Sequence, residues 1–155
     1  MTDPYARLRK LRTVIDGASA ARAERSAVWH RLAEIGLNRT QIAAVSGLVP
    51  TGADWRAGNR AGKVVDAEIR RHPAPEGDPY GLAGLSATQL YARLVRVGRK
   101  LAASSEAMGE REAIWRQLLD AGQHPGPIAA ASSVHPSYPA KYLARQAEKV
   151  DAESS

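Results

Sequence analysis

Residues 24–50 read ERSAVWHRLAEIGLNRTQIAAVSGLVP, and residues 110–136 read EREAIWRQLLDAGQHPGPIAAASSVHP. The two stretches align when residue n is set against n+86, and the match runs upstream to Tyr5-Ala-Arg-Leu8 opposite Tyr91-Ala-Arg-Leu94. From 5 to 50 there are 17 identities in 46 gapless positions. A self-match at a fixed spacing marks an internal duplication and takes precedence over local patterns. After Pro50 and Pro136 the register slips by one, so that Val65-Asp66-Ala67-Glu68 meets Val150-Asp151-Ala152-Glu153. The predicted organisation is a first repeat over 1–71, a linker over 72–85 and a second repeat over 86–155 with a polar tail. The linker reads HPAPEGDPYGLAGL, whose Pro73, Pro75, Pro79 and three glycines cannot sustain a helix.

Composition indicates the fold class. Of the 155 residues 44% are hydrophobic, mostly Ala, Leu and Val, and there is no Phe. Without β-branched and aromatic runs, small side chains among many arginines predict close-packed helices, hence an all-α protein. Tyr5, Leu8, Leu11, Ile15, Ala18, Val28, Leu32 and Ile35 follow helical spacing, as do Tyr91, Leu94, Val97, Leu101, Ile114 and Leu118. Each repeat therefore opens on one helix of roughly thirty residues, or on two with a short break at Gly17, Gly98 or Gly109. Asp3 before Pro4 suits an N-cap, and Ser86 with Gln89 has the capping-box spacing. Gly36 and Gly122 end the long elements as residues of left-handed conformation do. Short helices follow, over Gln41–Ser46 and, with Pro127 in its first turn, to Ser132.

The segment from Gly36 to Pro50 has the grammar of a helix-turn-helix. A central Ala43 lets a second helix cross closely, and Gly47, four residues later, supplies the left-handed turn. Leu48 then packs behind the angle, and the recognition helix is predicted over 51–63. In the second repeat Ala129 matches, while Ser133 replaces the glycine, which implies a strained or differently shaped turn.

These residues resemble helix-turn-helix proteins common in high-GC Gram-positive bacteria. In such proteins a long Arg/Ala-rich helix ending in Gly-Leu precedes a Thr-Gln-Ile-Ala-x-x-x-Gly-Leu motif, matched here by Gly36-Leu37 and Thr40 to Leu48. The likeness covers residues 22–62 well and 108–149 loosely. It implies two tandem helix-turn-helix units, each a long helix followed by a short helix pair. It also implies a regulator of transcription or replication that binds duplex DNA. The three glycines at 52, 58 and 62 depart from the firm recognition helix usual in that family.

Charge and side chains point the same way. Residues 1–71 carry thirteen Lys and Arg against seven acids, whereas residues 72–155 carry nine against nine, so the whole net charge of +6 lies in the first repeat. Such asymmetry suits a polyanionic partner. Thr51 can donate to a phosphate, and Arg56, Asn59, Arg60 and Lys63 recur at helical spacing, where Arg can fork onto guanine and Asn onto adenine. Arg39, Thr40 and Gln41, at the start of the preceding helix, are placed to fix register on the backbone. Trp55 is expected to close a core, as are Trp29 and Trp115.

The second repeat offers Ser137, Tyr138, Lys141, Tyr142 and Arg145. Its candidate roles are a weaker DNA reader about one turn (~34 Å) away, a dimerisation surface or a docking site for another protein. With no Cys and no paired histidines, neither a cofactor nor a metal is expected. No nucleophile–base order or phosphate loop supports an enzyme. No signal peptide or apolar span is present in the sequence, so a cytoplasmic, nucleoid-associated protein is expected. The rival expectation is a degenerate helix-turn-helix pair that docks on a transcription or replication protein.

Overall fold

A computed structural model describes residues 3–50 and 52–154. The described residues are helical without any strand: α1 (Pro4–Glu34), α2 (Arg39–Val45), α3 (Trp55–Arg71), α4 (Ala87–Asp120), α5 (Pro125–Ser132) and α6 (Tyr138–Ser154). Both long helices are continuous through Gly17, Gly98 and Gly109. Their starts follow the capping residues. The Asp3 carboxylate accepts from the Tyr5 N–H at 3.0 Å. Ser86 and Gln89 close a reciprocal pair, with Gln89 Oε1 accepting from Ser86 N at 2.9 Å and Ser86 Oγ accepting from Gln89 N at 3.2 Å. No helix among the described residues is long and apolar enough to cross a membrane.

Four turns share one hydrogen-bond pattern. After α1, Gly36 N–H donates to Ala33 O and Leu37 N–H to Leu32 O; after α2, Gly47 N–H donates to Ala44 O and Leu48 N–H to Ala43 O. The ends of α4 and α5 repeat it with Gly122-Gln123 and Ser133-Val134. This pattern requires a left-handed residue at its corner. Gly36, Gly47 and Gly122 supply it without a Cβ, and Ser133 adopts the same geometry at φ 54°. The turn after α5 is therefore strained and keeps its shape.

The compact units of the chain do not coincide with its repeats. One contains residues up to Gly17 together with those from Ala102 onward, and the other runs from Ala18 to Leu101. Each contains the helix pair of one repeat and the first half of the other repeat's long helix. In the 18–101 unit, Trp29, Leu32, Ile42 and Val65 pack with Leu90 and Leu94 of α4. In the other, Trp115, Leu118 and Ile128 pack with Leu8 of α1. Leu8 and Leu94 are equivalent positions of the duplication.

The polar contacts repeat the exchange. The Arg7 guanidinium donates twice to the Glu110 carboxylate, at 2.9 and 2.8 Å. At the equivalent positions Arg93 reaches Glu24 at 3.4 Å, joined by Arg96 at 3.0 Å. Forked pairing with Arg7 holds the Glu110 carboxyl below the usual carboxylate range. Within each repeat, the tryptophan indole N–H donates at 2.9 Å to the serine Oγ seventeen residues on, Trp29 to Ser46 and Trp115 to Ser132. The preceding arginine covers each ring, with Arg25 4.6 Å and Arg111 4.4 Å from the ring centroid.

The segment 72–85 is more than a spacer. Leu82 is buried in the core beside Trp29, with Tyr80 and Leu85 packed against the same cluster. Asp78 accepts from the N–H groups of Leu82 and Ala83, at 2.7 and 2.9 Å, and so fixes the turn that presents Leu82.

Candidate functional site

The helix expected over 51–63 begins four residues later. The connection after α2 ends at Asp54, which caps α3 by accepting from Ala57 N at 3.1 Å. This connection is longer than the turn implied by the helix-turn-helix reading. It contains Gly52 at φ 80°, which explains one of the three glycines. Thr51 lies outside the described residues.

The other two glycines are packing positions. Gly58, Ala61, Gly62 and Val65 form the buried face of α3. A Cβ at Gly58 would lie 3.5 Å from Thr40 Cγ2. At Gly62 it would lie 3.1 Å from Arg39 Cγ, 3.2 Å from Thr40 Oγ1 and 3.4 Å from the Thr40 backbone nitrogen. Gly62 thus allows α3 to cross the start of α2 at close range, whereas a Cβ at Gly58 would make only ordinary contact.

Burying that face leaves the opposite one in solvent. Arg56, Asn59, Arg60 and Lys63 are all exposed, separated by the three- and four-residue steps that share a helix face. Arg56, Arg60 and Lys63 hold no ion pair among the described residues. Arg70 continues the face but is paired with Asp66 at 2.8 Å.

The three residues expected at the start of α2 are differently engaged. Arg39 lays its stem over Gly62 and reaches Asp66 at 3.4 Å. Thr40 sits against Gly58 and Gly62. Gln41 closes a capping box with Asn38, its Oε1 accepting from Asn38 N and its N–H donating to Asn38 Oδ1, both at 2.9 Å. Each of the three thus has a structural task at the α2–α3 crossing.

Trp55 corrects the expectation of a core residue. Its side chain is 72% exposed, because it occupies the first position of α3, a turn before the face that meets α2 begins at Gly58. The Arg56 guanidinium lies 5.6 Å from its ring centroid. Sequence periodicity missed this residue, since its fate depends on where the helix starts. The exposed Trp55 adjoins the basic face and belongs to the same surface.

The second repeat is built differently. Trp115 carries Tyr138 and Tyr142 edge-on, with centroids at 5.8 and 6.0 Å, and the two tyrosines stack on each other at 5.9 Å. Both are thereby part of the packing around Trp115, although Tyr138 keeps an exposed edge. Ser137 is tied to His135 Nδ1, 2.8 Å from its Oγ. Lys141 and Arg145 are exposed on α6. Past the register slip, however, Lys63 is matched by Glu148 and Asn59 by Ala144. The free cationic face of α3 therefore has no full counterpart on α6. Among the described residues no three His, Asp or Glu side chains converge to hold a metal ion. Compared with known proteins, the chain matches no protein family, no curated protein and no solved structure.

Proposed function

We propose that the protein binds duplex DNA by laying the exposed face of α3 into the major groove, as a regulator of transcription or replication. The observation that carries this reading is the grouping of Arg56, Arg60 and Lys63, without acidic partners, around Asn59 on the helix face opposite the packed glycines. Free guanidinium and ammonium groups on one face can neutralise phosphates, and Arg and Asn match the donor–acceptor edges of guanine and adenine. The charge excess of residues 1–71 supports it. The helix pair α5–α6, with Glu148 in place of Lys63, contributes less.

The test is a titration of the full chain against fragmented DNA at several salt concentrations, repeated with Arg56→Ala/Arg60→Ala. Unaltered protein should retain duplex with an affinity that falls steeply with salt. The double variant should lose specific binding, by about 1–3 kcal/mol for each base contact removed, with its helical circular dichroism unchanged. Equal affinity in the variant would move the contact elsewhere. No retention at low salt would favour the docking of a protein partner on this face, a reading that the exposed Trp55 also accommodates.

A further inference from the structure

The chain uses tryptophan in two ways. Trp29 and Trp115 are fully buried, each with its indole N–H given to a serine, whereas Trp55 stands 72% exposed at the first position of α3. Of the residues before it, Asp54 is engaged in capping α3 through Ala57 N, Gly52 and Ala53 carry almost no bulk to cover the ring, and the Arg56 guanidinium lies 5.6 Å from its centroid. Asn59 follows one turn later, in the i, i+4 relation that places two side chains side by side.

Resting on the reading of α3 as a DNA-binding helix, we infer that Trp55 is a specificity residue that reads the C5-methyl group of thymine. The first residues of a recognition helix meet base edges. The apolar feature of those edges in the major groove is the thymine methyl. An exposed indole offers a broad apolar plate to receive it. Asn59, beside it, has the fork that recognises adenine N6 and N7, so the two residues together select steps rich in A·T pairs. Arg56 adds a cation over one face of the same ring, within reach of a phosphate or a guanine edge.

The duplex most enriched from a random-sequence pool by the full-length protein is synthesised twice, once with thymine and once with deoxyuridine, which lacks only the methyl. Unaltered protein should bind the uracil form about fourfold to fifteenfold more weakly, the range expected for one or two methyl groups leaving an apolar contact. Trp55→Ala should bind both forms equally, with the same salt dependence as the unaltered protein, because no charge is removed. The comparison on the unaltered protein needs no variant, so a folding defect in Trp55→Ala cannot obscure it. Indifference of the unaltered protein to the methyl would overturn the inference and leave DNA binding by α3 intact. A preference for thymine that persists in Trp55→Ala would assign the methyl contact to another residue. Retention of every duplex alike, with none enriched, would overturn this inference and leave DNA binding intact, and failure to retain any duplex, even at low salt, would overturn both.

Discussion

Ser133 is an instance of the turn outranking the side chain. The end of α5 uses the same two hydrogen bonds as the end of α2, and that pattern forces its corner residue into left-handed geometry whatever its identity. Gly47 adopts it freely at φ 74°, while Ser133 is held there at φ 54° with a Cβ that such geometry penalises. The sequence left open a strained or a reshaped turn, and the strained one is found because Ala129, Val134 and the corner hydrogen bonds are all retained. Replacing Ser133 by Gly should therefore stabilise the protein by about 1 kcal/mol. A urea midpoint that rises without a change in slope would show the gain; a fall would mean the serine hydroxyl makes a contact that outweighs the strain.

At the scale of elements, the caps and C-terminal glycines were legible because each depends on two or three neighbouring residues. Asp3, Ser86, Gly36 and Gly122 all stand where their local chemistry placed them. The start of α3 was not legible. Trp55 was expected to close a core and the glycines departed from a firm recognition helix; in the structure Asp54 caps α3, Trp55 at its first position is exposed, and Gly58 and Gly62 face α2. The same glycine count thus conceals opposite roles. Gly98 and Gly109 are exposed within α4 and have no neighbouring atom within 4 Å of where a Cβ would lie. Gly98→Ala and Gly109→Ala should each stabilise by about 0.5–1 kcal/mol through helix propensity. Gly62→Val should destabilise by about 1–3 kcal/mol, since its branches would meet the Thr40 backbone. Thermal melts of the three variants distinguish the roles, and a gain for Gly62→Val would show that α2 and α3 can separate freely.

The 72–85 segment carries a pH prediction at this scale. The Ala83 and Leu82 N–H groups hold the Asp78 carboxyl below the ordinary carboxylate range against the opposing influence of burial, and Arg31 and Arg93 add smaller lowering effects. A depressed folded-state pKa means that its contribution to stability is present above the ordinary range and disappears as pH falls through the folded value. Asp78→Asn should therefore narrow the difference between melting points at neutral and acidic pH. An unchanged pH profile would show that the turn presenting Leu82 holds without the carboxylate.

For the whole molecule, the duplication was plain in the sequence while the exchange between repeats was not. Identities at Tyr5/Tyr91, Leu8/Leu94, Arg7/Arg93 and Glu24/Glu110 are equally compatible with each long helix folding onto its own repeat or onto the other. A duplicated sequence specifies which residue types meet, and cannot specify which copy supplies them. The two packed cores decide it. Leu8 completes the core around Trp115 and Ile128, as Leu94 does around Trp29 and Ile42. The consequence is a crossed pattern of local stability. Leu8→Ala removes a fully buried side chain and should cost about 2–5 kcal/mol. Amide hydrogen exchange should then quicken in α5 and the second half of α4, with α2 and α3 of the mutated repeat protected as before. Leu94→Ala should reverse the pattern, loosening α2 and the second half of α1 and sparing α5. Faster exchange in α2 on mutating Leu8 would mean that each long helix packs on its own repeat, and the cores would have to be redrawn along the lines of the duplication.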